Sequence, residues 1–130
     1  MFNPGDVVVI DFPGVTGIKR RPTVVVSSPV YHASRPDIVV GLITSQTIAL
    51  APTDYMLQDW AQAGLRVPSV FRSFFATLPP STHPVLVGHL SERDWQGVCT
   101  CVRMALAPLV PPEPPSPVPF KKSCTWIESS

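Results

Sequence analysis

Three consecutive cations, Lys19-Arg20-Arg21, stand at the mouth of an apolar, β-branched run that extends from Pro22 to Ser28. Pro22 restricts Arg21 to extended backbone and marks where loop hands over to strand. A guanidinium at the first residue of a rigid strand has little freedom. Planar and permanently charged, it meets a phosphate as a fork. The same pattern also describes a solvated basic loop ahead of an ordinary strand. A second polar set, Thr44-Ser45-Gln46, closes a later apolar run, and Arg72 sits in another. If the two runs pair antiparallel through the 28–37 connection, the start of one lies opposite the end of the other. Arg21 then comes near Thr44. A cation beside a hydroxyl can hold a phosphodiester and stabilise the charge that grows on its oxygens.

Other chemistries lack their residues. There is no glycine-rich phosphate loop, no His-Glu-x-x-His, no Cys-x-x-Cys and no Gly-x-Ser-x-Gly. Of the three histidines, His32 follows Tyr31 in a loop that leaves the second strand and is the one placed to contact a ligand. His83, in a proline-flanked turn, and His89, in a strand, read as structural. Cys99 and Cys101, two apart on a helix, point to different faces, so neither a disulfide nor a metal pair follows. A reduced, cytoplasmic compartment fits that usage. No apolar run reaches the roughly 18–20 residues of a membrane span. The N-terminal residues lack the basic and apolar regions of a signal peptide. A net charge of +1 argues against wrapping nucleic acid along the whole chain, but leaves room for one local phosphate site.

The elements that must position these residues are mostly short strands. A length of 130 residues, 45% hydrophobic and 15% charged, supports one core and one ordinary domain. Asp6–Phe12 is apolar on both faces and predicts a strand buried on both sides. Pro13, Gly14 and Gly17 break it into a loop that ends at the basic triplet. Thr23–Ser28, Ile38–Ile43, Asp54–Leu57, Ser69–Phe75 and Val85–Leu90 follow as strands, with a loop over Tyr31–Asp37. Runs so close in sequence predict an antiparallel sheet rather than βαβ units. Asp59–Ala63 makes one or two helical turns closed by Gly64.

One helix begins at Ser91, with Asp94 three residues on in a capping-box-like start, Asp standing where Glu or Gln is usual. Trp95, Val98, Cys99, Val102, Ala105 and Leu106 form its apolar face, and Pro108 stops it. Gly97 weakens it by roughly 1 kcal/mol. Seven of the twelve residues from Pro108 to Pro119 are proline, which predicts an extended, disordered tail over 108–130 after a domain at 1–107.

Gly5-Asp6-Val7-Val8, Arg21-Pro22-x-Val24-Val25-Val26-Ser27 and Ile43-Thr44-Ser45-Gln46 resemble, in order and spacing, the MazF/PemK toxins of bacterial toxin–antitoxin pairs. Asp59-Trp60-x-x-Ala63-Gly64-Leu65-x-x-Pro68-Ser69-x-x-Arg72 and Gly88-x-Leu90-Ser91-x-x-Asp94 look like a branch of the same family. The resemblance covers about residues 3–107. It implies a mainly β (α+β) fold, a compact twisted antiparallel SH3-like barrel of the PemK/CcdB type with a C-terminal helix. It also implies a homodimer, a cognate antitoxin, and cleavage of single-stranded RNA without metal or other cofactor. The family's catalytic arginine and threonine fall on Arg21 and Thr44, and its contributory arginine on Arg72. Lys19, Arg20, His32, Ser45 and Gln46 complete the expected RNA-binding set.

One departure stands out. Many relatives carry Asp or Glu two residues after the Arg72 position, where this chain has Phe74. If that carboxylate is the general base, His32 or a water must replace it. Phe74 itself reads as core or interface packing together with Phe75, or as a platform on which an unpaired base stacks. Two other functions suit the same fold: a gyrase-poison-like toxin that acts by protein contacts, and a non-catalytic module that binds RNA or antitoxin.

Overall fold

The computed structural model describes residues 2–14, 17–48 and 50–107. The proline-rich tail expected over 108–130 lies outside them. Strands β1 (Asp6–Gly14) and β2 (Gly17–Val25) form a hairpin. The short helix α1 (Pro29–Ser34) leads to β3 (Ile38–Thr44), followed by β4 (Tyr55–Met56) and β5 (Val70–Leu78). A 3-10 turn at Pro80–Thr82 precedes β6 (Val85–His89), and helix α2 (Glu92–Ala105) completes the described chain. The strands make one sheet in the order β4-β5-β3-β2-β1-β6, and each neighbouring pair is antiparallel. No helix among the described residues is long and apolar enough to cross a membrane.

Strand alternation divides the apolar residues between two clusters. Val7, Val24, Ile43 and Phe71 pack with Leu57, Ala63, Leu90, Val98 and Cys101, between the sheet, the 57–65 segment and α2. On the other face Val8, Ile10, Val25, Val40 and Leu42 are buried to 9% exposure or less, with Ile38, Leu78, Phe2 and Ala76 beside them. This cluster lies on the face of the sheet opposite the one that α2 packs against, and a strongly twisted antiparallel sheet curls. The architecture is a curled antiparallel half-barrel with a C-terminal helix packed on one face, in agreement with the mixed α+β expectation. β1 contributes to both clusters, which is why its sequence is apolar without alternation.

Three local expectations change. The basic triplet does not end a loop: β1 and β2 continue to Gly14 and Gly17, so Asp11 faces Arg20 and Ile10 faces Arg21 inside the ladder. The 28–37 connection contains a helical turn, because Ser28 caps it by accepting from the Tyr31 N–H at 3.2 Å and Pro29 starts it. In α2 the deeply buried positions are Asp94, Val98 and Cys101, while Cys99 is half-buried and Ala105 and Leu106 are exposed. The apolar face is therefore narrower and rotated relative to the periodic reading. Ser91 is the N-cap as expected, accepting from the Asp94 N–H at 3.3 Å.

Candidate nucleic-acid interface

β2 and β3 pair only from Thr23↔Leu42 to Val25↔Val40. Ahead of Thr23, β2 stays with β1 and leaves its other edge open, which is where Pro22, lacking an N–H, can be tolerated. A cavity of about 740 Å³ opens there. β2 contributes Lys19, Arg20 and Arg21 to it, β3 and its end Thr44 and Ser45, and the 57–69 segment Arg66 and Ser69. Among the described residues no carboxylate and no histidine lines it. A concave surface bordered by four cations and no acid favours anions with more than one charge.

The β2–β3 ladder stops two residues short of Arg21 and of Thr44, and both residues border the cavity that opens there. Thr44 is 8% exposed and its Oγ1 accepts from the Gln46 N–H at 3.2 Å. Its hydroxyl proton is left to donate outward, as stabilisation of a phosphate oxygen requires. Arg20 pairs with Asp11 at 3.0 Å with both side chains about half exposed, a contact that solvent screens strongly.

The remaining candidates lie elsewhere. Gln46 is exposed and reaches Thr44 through its backbone. Arg72 stands opposite Leu42, two positions from the residue facing Thr44, but its guanidinium lies towards Asp54, with Nε 3.9 Å from the carboxylate. His32 is in a different, smaller cavity of about 140 Å³ beside Phe2 and Asp37, hydrogen-bonded to the Ser27 Oγ at 2.5 Å. It does not line the cationic cavity. The two phenylalanines separate: Phe75 packs on the cluster beneath α2 with its ring 6.4 Å from Phe71, whereas Phe74 is 55% exposed. His89 is structural as expected, its Nδ1 2.8 Å from the Asp6 carboxylate.

Arg66 falls on an unmatched position of the motif and carries no pattern of its own, so the sequence did not mark it. Its location depends on how the 57–69 segment is fastened. Asp94, fully buried at the start of α2, accepts from the Tyr55 hydroxyl at 2.9 Å and from the Gln58 and Asp59 N–H groups at 3.0 and 2.8 Å. Asp59 in turn accepts two hydrogen bonds from Arg93, each 2.8 Å, and one from Ser91. Those bonds pull the Asp59 carboxyl down to about 2. Burial, with the bond to Asp94 second, pushes the Tyr55 phenol up to about 12.

Further along, the segment touches β6 backbone to backbone. A side chain at Gly88 would meet the Ala63 carbonyl oxygen at 2.0 Å, and one at Gly64 the Val87 oxygen at 2.4 Å. Gly64 also has φ +93°, the left-handed geometry expected of the residue that closes the 59–63 turn.

Among the described residues no three His, Cys, Asp or Glu side chains gather as metal ligands would. Comparison with known proteins yields one family match, described as PemK-like, MazF-like toxin of type II toxin–antitoxin system, over residues 3–106. No curated protein matches the sequence. Similar solved structures include a mycobacterial endoribonuclease in complex with its cognate antitoxin, at 20% identity and TM-score 0.69, covering 85% of this chain and all (100%) of that one. A MazE–MazF structure from Deinococcus radiodurans matches at 20% identity and TM-score 0.63, covering 82% and 95%. A Mycobacterium tuberculosis MazF toxin matches at 21% and 0.61, covering 77% and 94%. At these identities the likeness establishes the fold.

Proposed function

The chain belongs to the PemK-like, MazF-like toxins of type II toxin–antitoxin systems, and from that premise we propose that it is an endoribonuclease that cuts single-stranded RNA without a metal ion. A ribose 2′-oxygen attacks the adjacent phosphorus. The bond from phosphorus to the 5′-oxygen breaks, leaving a 2′,3′-cyclic phosphate and a 5′-OH. The 2′-proton passes to solvent and the departing oxygen takes one back. The observation that carries this reading is the pair Arg21 and Thr44 bordering one cavity that is cationic and free of lining carboxylates. Arg21 suits stabilisation of the phosphorane better than proton transfer, because its pKa exceeds about 12. Thr44 donates to a nonbridging oxygen. Lys19, Arg20 and Ser45 hold the strand. The mycobacterial endoribonuclease is in complex with its cognate antitoxin, and on the same reading a cognate antitoxin neutralises this protein; the family resemblance adds a homodimer of SH3-like barrels.

Phe74 stands where many relatives have an acid, and no histidine lines the cavity among the described residues. Water therefore serves as base, and the rate falls below that of carboxylate-bearing relatives by about 10²–10⁴. The same observation favours a second reading, a module that binds RNA or antitoxin without cutting. Purified protein, single-stranded RNA and excess EDTA decide between them through end-group analysis. Cyclic-phosphate ends that disappear with Arg21→Ala support the nuclease. Binding with no new ends supports the module, and cutting that depends on added Mg²⁺ contradicts the mechanism.

A further inference from the structure

Three of the cavity's cations are neighbours on β2, while Arg66 enters from the opposite wall. Arg20 is held by Asp11, but Arg66 forms no ion pair among the described residues. Its segment is fastened at one end by the buried Asp94 and pressed against β6 at Gly64. An exposed guanidinium on an anchored backbone loses little order when it takes a ligand. A space of about 740 Å³ is also larger than one phosphate needs.

On the reading that the substrate is a single RNA strand, we infer that Arg66 is a positioning residue for a second phosphate, adjacent to the one held between Arg21 and Thr44. The strand is then gripped at two consecutive linkages from two walls. A ligand with a single phosphodiester meets only one of them.

The test is binding of a short 2′-O-methyl RNA, which has no hydroxyl able to attack, followed by fluorescence anisotropy across a salt series. Each phosphate in turn is replaced by an uncharged methylphosphonate. In the unmodified protein one replacement beside the scissile linkage weakens binding about tenfold, the scale of a charge-assisted hydrogen bond. In Arg66→Ala that loss shrinks below about twofold, and the slope of log K against log salt falls by about 0.7, one phosphate's worth for a single strand. Arg66→Lys restores the slope, and Arg66→Gln, which retains the side-chain stem, repeats the alanine pattern. Should Arg66→Ala keep the original slope and replacement pattern while Arg21→Ala weakens binding, the second-phosphate role is wrong and the nuclease reading stands. A uniform loss at every phosphate also overturns it. If the unmodified protein shows no salt-dependent binding, both proposals fall.

Discussion

The two walls of the cavity are built by opposite means. The β2–β3 wall, with Arg21 and Thr44, is set by a ladder that begins two residues away from each. The 57–69 wall, with Arg66, has little regular structure and is held by a buried carboxylate at the start of α2, thirty-six positions on from Gln58. Ladder geometry leaves the first wall's side chains free for chemistry, because backbone bonds alone define their place. In the second wall a buried side chain and a close backbone contact carry the architecture, and Arg66 forms no ion pair among the described residues. Substitutions should therefore separate: activity without stability on one side, stability before activity on the other.

The largest effect is expected from Arg21→Ala, with RNA cleavage down about 10²–10³-fold, as when a group stabilising transition-state charge is removed. Its denaturation midpoint should correspond to a change within about 0.5 kcal/mol. Asp94→Ala should show the reverse. It strands the Tyr55 hydroxyl and two backbone N–H groups and costs about 3–5 kcal/mol in a urea titration. Gly97→Ala is the subtler version. A Cβ there would stand 2.2 Å from the Tyr55 ring, so the ring is displaced from Asp94. We expect about 1–3 kcal/mol of destabilisation from overpacking, despite the gain of roughly 1 kcal/mol in helix propensity.

Titration sharpens the contrast further. In a Tyr31→Phe background, phenolate absorbance should place Tyr55 at about 12 rather than the ordinary 10. A phenol raised on folding adds stability that is complete below pH 10 and is lost as pH rises towards 12. Asp59 works in the other direction. Its carboxyl lies at about 2 against an ordinary 3.8, so its contribution is intact above pH 3.8 and disappears as pH falls towards 2. The smallest effect belongs to Asp11→Asn. This exposed pair contributes no more than about 0.5 kcal/mol to folding, while release of Arg20 should tighten RNA binding at low salt.

The difference between the walls also explains what could be read from the chain. β-branched runs, Pro22 and the Ser91 cap are local signals, and they mark the strands and the helix start. The length of the β1–β2 hairpin is not legible, because Gly14 and Gly17 signal a break, whereas here they are the last pair of the ladder. Gly97 counted as a helix defect. Its reason is Tyr55, forty-two positions away, which no periodicity reveals. Arg66 was invisible for the same cause: an isolated arginine gains meaning only once Asp94, Gly64 and Gly88 fix the segment that bears it. His32 shows the converse, a residue of suitable type close in sequence to the site and placed in another cavity.

The central claim is that Arg21 and Thr44 act on one phosphodiester as a unit. Single-turnover cleavage of one RNA by Arg21→Ala, Thr44→Ala and the double variant measures it directly. Groups that serve the same transition state are non-additive, so the double variant should be no slower than the slower single one within about threefold. Losses that simply multiply, or a single variant that cuts at the unmodified rate, would contradict the account.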